Sequence, residues 1–331
     1  MGALLDTRRQ ESSRRLGELR TKLDGAERAA AHKACIYVTG SFARGEASAH
    51  SDLDLFIVGR GDIVDGTPVR HLARLDEICI KADLIRAVGA LGIPEFSGDG
   101  AYLSHHTIVE LVKALGTPTD DADNTFTARL LLLLESKPLL GIDVYNEAIE
   151  KTIAPYWRDF AGHEAEFMPA FLANDILRLW RTFCVNYEAR TEPEPATKRA
   201  KRKLKNHKLK HSRLLTCYSA LLCLMAIWIG KKTVTPADAT GIVHLTPTER
   251  LEFLRRDPGL PRAHAALDEL LRLYEQFLAY TDESEGVLVE RLKDPKSSAA
   301  LQANAHKFGE QMSDTLSLIG EGSRFYRMLV V

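Results

Sequence analysis

The stretch that decides the fold runs from Ala34 to Val58 and reads ACIYVTGSFARGEASAHSDLDLFIV. Its first six residues, ACIYVT, are small, apolar or β-branched and end at Gly40, so they predict a buried strand that ends in a turn. Its last seven residues, DLDLFIV from Asp52, alternate polar and apolar side chains before Gly59, and they predict a second strand. The polar, small-residue segment in between predicts the connection that joins the two strands.

Two carboxylates stand at the start of the second predicted strand. Because successive side chains of a strand point to opposite faces, Asp52 and Asp54 share one face about 7 Å apart, whereas Leu53 and Leu55 enter the core. Crowded carboxylates repel one another unless cations lie between them, and hard oxygen ligands of this kind suit Mg²⁺. A pair of such ions about 3.5–4 Å apart supports in-line displacement at phosphorus. The pattern predicts a metal site for phosphoryl chemistry.

Gly40 and Ser41 supply the other half of the pattern. A glycine after a buried strand lets the backbone approach a phosphate closely, and backbone amides with a serine hydroxyl can hold the β- and γ-phosphates. Phosphate binding at one end and metal ligands at the other describe a nucleoside triphosphate held for attack at its α-phosphorus. Either fragment alone also fits an ordinary turn or a solvated edge strand, but the two together favour a functional site.

Gly40-Ser41, ten intervening residues and the Asp52-x-Asp54 pair resemble the signature of the DNA polymerase β-like nucleotidyltransferase superfamily. The ARGE and SDLDL details are similar to its bacterial branch, which includes minimal, protein-modifying, aminoglycoside-modifying and tRNA-directed toxin enzymes. The resemblance implies transfer of a nucleoside monophosphate from an NTP with release of pyrophosphate. ATP and CTP are the favoured donors. It implies Mg²⁺ ions on Asp52 and Asp54 and a triphosphate loop at Gly40 and Ser41. Arg44 is either a phosphate neighbour or an ion-pair partner of Glu46.

The superfamily normally adds a third carboxylate on a later strand, which binds metal or accepts the proton of the attacking hydroxyl. Asp99 is the preferred candidate, then Glu95, because PEFSGDG follows the next predicted helix where a third strand is expected. Asp83 ranks last, since apolar residues recur every three or four positions around it, which is typical of a helix. Asp99 beside Gly100 also fits a plain turn.

The rest of the chain is predicted to be mostly helical, so the fold class is α/β plus α. A small mixed-sheet nucleotidyltransferase domain with an N-terminal helix occupies residues 1–120, and an all-helical domain occupies residues 121–331. Amphipathic spacing predicts helices at 4–32, 69–91, 128–135, 174–189, 212–229, 262–281 and 298–319.

Composition limits the class of protein. With 331 residues, 45% hydrophobic and 27% charged, the chain has ample core, and a formal charge of −1 excludes a uniformly basic protein. Five cysteines without a Cys-x-x-Cys pair indicate reduced thiols in a cytoplasmic protein. The apolar run 214–229 is shorter than the ~20 residues a bilayer needs, so we expect a buried helix and no membrane partner.

A basic stretch, Lys198 to Arg213, reads KRAKRKLKNHKLKHSR and holds nine Lys or Arg residues and no acid. Without these nine, 35 basic residues face 45 acidic ones, a balance of −10. The stretch therefore predicts an anion-binding helical face, or a solvated basic face. RNA or a tRNA end is the favoured acceptor. A protein hydroxyl, a small molecule including another nucleotide, and a catalytically silent nucleotide sensor are the alternatives.

Overall fold

The computed structural model describes residues 2–96, 103–188 and 196–330. The chain divides into two compact units, an N-terminal unit that ends at Arg158 and a C-terminal unit that begins at Asp159. The N-terminal unit extends beyond residue 120, where the sequence suggested the boundary, because a later strand joins its sheet. That strand lies at Lys137–Leu140 and pairs with the strand at Ala34–Thr39.

The N-terminal unit alternates short strands with helices. In chain order it contains α1 (Ala3–Arg20), α2 (Asp24–Ala30), β1 (Ala34–Thr39), α3 (Gly40–Arg44), β2 (Asp54–Gly59), β3 (Gly61–Val64), β4 (Thr67–Arg70), α4 (Arg74–Ala90), β5 (His105–Thr107), α5 (Ile108–Lys113), α6 (Thr119–Ala122), α7 (Thr125–Leu134), β6 (Lys137–Leu140), α8 (Ile142–Ile153) and a 3₁₀ turn at Ala154–Trp157.

The main sheet has four strands in the order β5-β2-β1-β6. Strand β1 is antiparallel to both neighbours, whereas β2 and β5 are parallel, so the sheet is mixed. All six residues of β1 are buried, as expected for an interior strand with both faces covered. Helices α1, α2 and α4 contribute Leu19, Ala26 and Leu84 to the same apolar core as the strands. The predicted α/β domain with a mixed sheet is confirmed.

A second, two-stranded sheet ends at Arg70, one residue into the helix that the sequence predicted at 69–91. Strands β3 and β4 form a hairpin whose turn residues, Asp65 and Gly66, have φ of 51° and 79°. Two successive residues with positive φ make the tight turn that matches the twist of paired strands. The helix predicted at 69–91 therefore begins only at Arg74, after this hairpin.

The regular secondary structure described in the C-terminal unit is all helical, which confirms the second half of the predicted fold class. It contains α9 (Ala170–Glu188), α10 (Ala196–Lys208), a π-helical turn (Leu209–Arg213), α11 (Leu214–Lys231), α12 (Pro236–Val243), α13 (Pro247–Arg255), α14 (His264–Tyr280), α15 (Glu285–Arg291), α16 (Pro295–Gly320) and α17 (Arg324–Val330).

Helix α11 and the two segments before it form one continuous rod, Thr197–Lys231, which is long and apolar enough to cross a membrane by length and composition alone. Its most apolar 18-residue window is 67% buried inside the protein. Burial of this kind is also what the core helix of a helical bundle shows. The five cysteines are all free, and Cys217 and Cys223 lie in the buried part of α11.

Candidate functional site

Pairing of β1 with β2 brings the two halves of the Gly-Ser and Asp-x-Asp pattern together. The last residue of β1, Thr39, is paired with Asp54, the first residue of β2. The next residue, Gly40, has φ of +67°, and a Cβ atom built on it would lie 2.9 Å from Oδ2 of Asp54. Gly40 therefore supplies both a left-handed backbone and the space that the Asp54 carboxylate occupies.

Burial alternates between the two aspartates and the leucine that follows each of them. Leu53 and Leu55 are each 1% exposed and belong to the sheet core, whereas Asp52 and Asp54 are half-buried. Asp52 lies before β2 rather than inside it, two residues ahead of Asp54, the first paired residue of the strand. Two half-buried carboxylates two residues apart in the chain form a donor set that fits Mg²⁺.

A third carboxylate is not brought to this pair within residues 2–96, 103–188 and 196–330. Among these residues no group of three His, Cys, Asp or Glu side chains is placed to hold a metal ion. Asp99, the preferred candidate, lies outside the described residues, so its role stays a prediction. Glu95 is described and its side chain is exposed to solvent.

Asp83, the last of the three candidates, lies within helix α4. Its carboxylate packs against Gly25 of α2, where a Cβ atom would lie 2.4 Å from Asp83 Oδ2. It also pairs with Arg86 on the next turn at 3.4 Å. Asp83 therefore takes part in the contact between α2 and α4, and the helical periodicity around it predicted its element correctly.

Gly40 and Ser41 open the short helix α3, directly after β1. The backbone amide of Gly40 donates to Oε1 of Glu135 at 3.3 Å. The Gly40 amide is thus already hydrogen-bonded inside the protein. The predicted phosphate role of the pair therefore falls to the amide and hydroxyl of Ser41. The helix ends at Gly45 with φ of +70°, where the chain turns towards the aspartates.

Arg44 lies in a buried network of charges. It is 6% exposed, its Nε donates to Oε2 of Glu46 at 2.7 Å, and its Nη1 donates to Oε2 of Glu135 at 2.8 Å. The ion pair with Glu46, one of the two roles left open by the sequence, is therefore present, but it is buried rather than on the surface. A phosphate role for Arg44 stays a prediction.

Glu135 is the residue of this site that sequence reasoning missed. It follows helix α7, is 3% exposed, and joins the Gly40 amide to the Arg44 guanidinium through its two carboxylate oxygens. A charged residue is seldom fully buried unless it is paired. The sequence signal for a buried, paired residue is therefore a glutamate directly after the apolar run LLLLL. Spacing along the chain does not identify its partner Arg44 on α3.

Helix α1 fixes the connection between α3 and the aspartates. Ser12 Oγ accepts from the Ala47 amide at 3.0 Å, and Arg8 Nη1 donates to the Ala47 carbonyl at 3.1 Å. Arg15 donates to the Ser48 carbonyl at 2.5 Å and stacks over Phe42 at 4.8 Å. Its partial burial lowers the pKa of Arg15. The backbone polar groups of the connection are thus held by side chains from a separate helix, which restricts its motion.

The fold and the site together define a domain built to place paired carboxylates beside a glycine-initiated turn. A family model described as a nucleotidyltransferase domain matches residues 19–89. This segment is a nucleotidyltransferase domain, consistent with the polymerase β-like superfamily, and it includes Gly40, Ser41, Asp52 and Asp54. No curated protein matches the chain. The domain match supports transfer of a nucleoside monophosphate in general.

Proposed function

We propose that the protein is a Mg²⁺-dependent nucleotidyltransferase, which moves a nucleoside monophosphate from an NTP to a hydroxyl group and releases pyrophosphate. The observation that carries this proposal is the contact between Gly40 and the Asp54 carboxylate, created by the pairing of Thr39 with Asp54. Gly40 of the proposed triphosphate loop and Asp54 of the proposed metal pair therefore lie side by side, where β1 ends and β2 begins.

Asp52 and Asp54 are the residues that would hold Mg²⁺. When bound, the metal supplies positive charge for the triphosphate and for the leaving pyrophosphate. The two aspartates would hold that charge at the start of β2, and Ser41 would offer an amide and a hydroxyl to phosphate oxygens. The protein's part is therefore mainly positioning and electrostatic stabilisation.

Asp99 remains the proposed third carboxylate, with the role of accepting the proton from the attacking hydroxyl. Its support is its place in the chain, six residues before β5. Strand β5 is parallel to β2 and pairs His105 with Ile57, three residues after Asp54. The segment that leads into β5 therefore leads into the strand next to the one that carries Asp54.

The test is a labelling reaction with each α-³²P-NTP, Mg²⁺ and separate pools of RNA, protein and small metabolites. The double variant Asp52→Asn/Asp54→Asn removes both metal ligands at nearly constant volume. The matched control is Asp62→Asn/Asp65→Asn, which removes the same charge from the exposed β3–β4 hairpin.

We expect a labelled product with the wild type and the control, and none with the Asp52/Asp54 variant. Equal labelling by all three proteins would contradict the proposal. Binding of NTP without any transfer would instead favour the silent nucleotide sensor. The labelled pool also distinguishes the acceptor classes, because a polynucleotide, a protein and a metabolite separate on the same gel.

A further inference from the structure

Helix α10 in the C-terminal unit has one buried side and a broad charged side. Its buried positions are Ala200, Leu204 and His207, each 3% exposed or less. Ala200 and Leu204 pack against Leu288, Val289 and Leu292 of the α15 region and against Leu301 of α16. The helix is therefore anchored along one face. The rest of the helix circumference, here called the basic face, carries the exposed residues Lys198, Arg199, Lys201, Lys203, Lys205 and Lys208.

The charges of the basic face are largely uncompensated. Lys201 pairs with Glu285 at 2.9 Å. The other five cations form no ion pair with any residue that the structure describes. Glu285 is the neighbouring acid, and the pKa of its carboxyl is lowered chiefly by the hydrogen bond from Lys201, then by the charges of Lys208 and Lys205. Among the described residues, Glu285 is thus the ion-pair partner of one of six cations, which are spread over about 15 Å of the helix.

A small open cleft of about 130 Å³ lies beside the basic face, between α10, the end of α9 and α16. Two cations, Lys203 and Lys210, line it together with the side-chain amides of Asn206 and Gln302. Amides can donate and accept hydrogen bonds, as the edges of nucleic-acid bases require. Tyr187 adds one aromatic side chain to the lining. The cleft therefore combines charge with groups that can contact a base.

We propose that the basic face and the adjoining cleft bind RNA, with the cations along the phosphate backbone and the cleft receiving an unstacked nucleotide. The inference rests on the proposed function, because RNA carries the ribose hydroxyl groups that a nucleotidyltransferase needs as acceptors. A membrane fits less well, since the apolar side of α10 is buried in the unit and leaves no apolar face for lipid. An acidic protein would use the charges but not the cleft.

The test measures binding of a fluorescein-labelled single-stranded oligouridylate by fluorescence anisotropy, without NTP, between about 50 and 200 mM salt. The variant is Lys203→Gln/Lys205→Gln/Lys208→Gln, since glutamine keeps a side chain that favours helix. The matched control is Lys22→Gln/Lys113→Gln/Lys151→Gln, which removes three exposed lysines from the N-terminal unit.

The expected size of the effect follows from counterion release. Each phosphate contact contributes about 0.7 to the slope of log affinity against log salt for a single strand. Loss of three contacts should reduce the slope by about 2 and weaken binding about 100-fold near 0.1 M salt. The control should bind like the wild type.

Three outcomes would overturn the RNA proposal: a variant whose affinity stays within threefold of the wild type, tighter binding to polyglutamate than to RNA, or binding only to phosphatidylserine vesicles. Binding is measured without NTP, so a failure of the RNA-binding proposal is distinguishable from a failure of the transfer reaction. Labelling of a metabolite without RNA binding would leave the nucleotidyltransferase intact and remove RNA as its acceptor. RNA binding with no labelled product in any pool would support the RNA site and count against the nucleotidyltransferase.

Discussion

Replacement of Gly40 by alanine should separate catalysis from stability. The residue has φ of +67°, and its added Cβ would lie 2.9 Å from Oδ2 of Asp54. A side chain in the left-handed region costs about 1–2 kcal/mol. Loss of glycine's freedom in the unfolded chain returns about 0.4–1 kcal/mol, so the net loss of unfolding free energy from the backbone is about 1 kcal/mol.

The steric contact should add little to this cost but should move the carboxylate. The atom in the way is the end of a side chain, so Asp54 can rotate away for about 0.5–1.5 kcal/mol. A displacement near 1 Å of a group that positions the reaction lowers the rate about 100-fold. The Gly40→Ala protein should therefore fold, with a transfer rate about two orders of magnitude below that of the wild type.

Gly92→Ala is the matched control, because Gly92 has φ of +61° and an added Cβ there would have no other atom within 4 Å. Urea unfolding and the labelling rate are measured for both variants. We expect the free energy of unfolding of both variants to fall by about 1 kcal/mol or somewhat more. Only Gly40→Ala should also transfer label more slowly. If Gly40→Ala transfers label at the same rate as Gly92→Ala, the reasoning that joins Gly40 to Asp54 is refuted.

Two further predictions concern buried polar groups. Glu135→Gln should lower the free energy of unfolding by about 1.5–3 kcal/mol, because the Arg44 guanidinium loses a charged partner while the Gly40 amide keeps an acceptor. Urea denaturation measures this change, and unchanged stability would contradict the prediction. Burial lowers the pKa of His207 to about 3 and of His211 to about 4, so the unfolded chain takes up protons first as the pH falls below about 6.5. The free energy of unfolding should thus be highest above that pH and decline towards pH 4, by up to about 1.4 kcal/mol per pH unit for each histidine. The decline should be shallower in His211→Asn. A flat pH profile of the wild type would contradict this prediction.

The parts of the site that lie close together in the chain could be predicted from the sequence. The bounds of β1 match the prediction, and β2 begins two residues later than expected. Leu53 and Leu55 lie in the core, and the aspartates beside them are only half-buried. These features depend on local periodicity and on one short connection, both of which are visible in the order of residues.

The parts that depend on distant pairing could not be predicted. Strand β6 reads KPLL, which is too short to show a period, and it is a strand because β1 lies open beside it. Glu135 is part of the site because the fold carries the end of α7 to Gly40, 95 residues earlier. The β3–β4 hairpin was missed for another reason, since Val69 belongs equally well to the helical spacing that continues into α4.

The interior position of β1 sets an order of events during synthesis. Its neighbour β2 is complete at Gly59, but its other neighbour, β6, is complete only at Leu140. At about 5–20 residues per second, the ribosome needs roughly 4–16 s to add the chain between them. During that interval one edge of β1 has no strand beside it, and such an edge pairs readily with other chains. A chain cut at residue 120 would retain the aspartates and the glycine turn but keep this edge open permanently. Removal of the helical unit is therefore best made after Arg158, where the first unit ends.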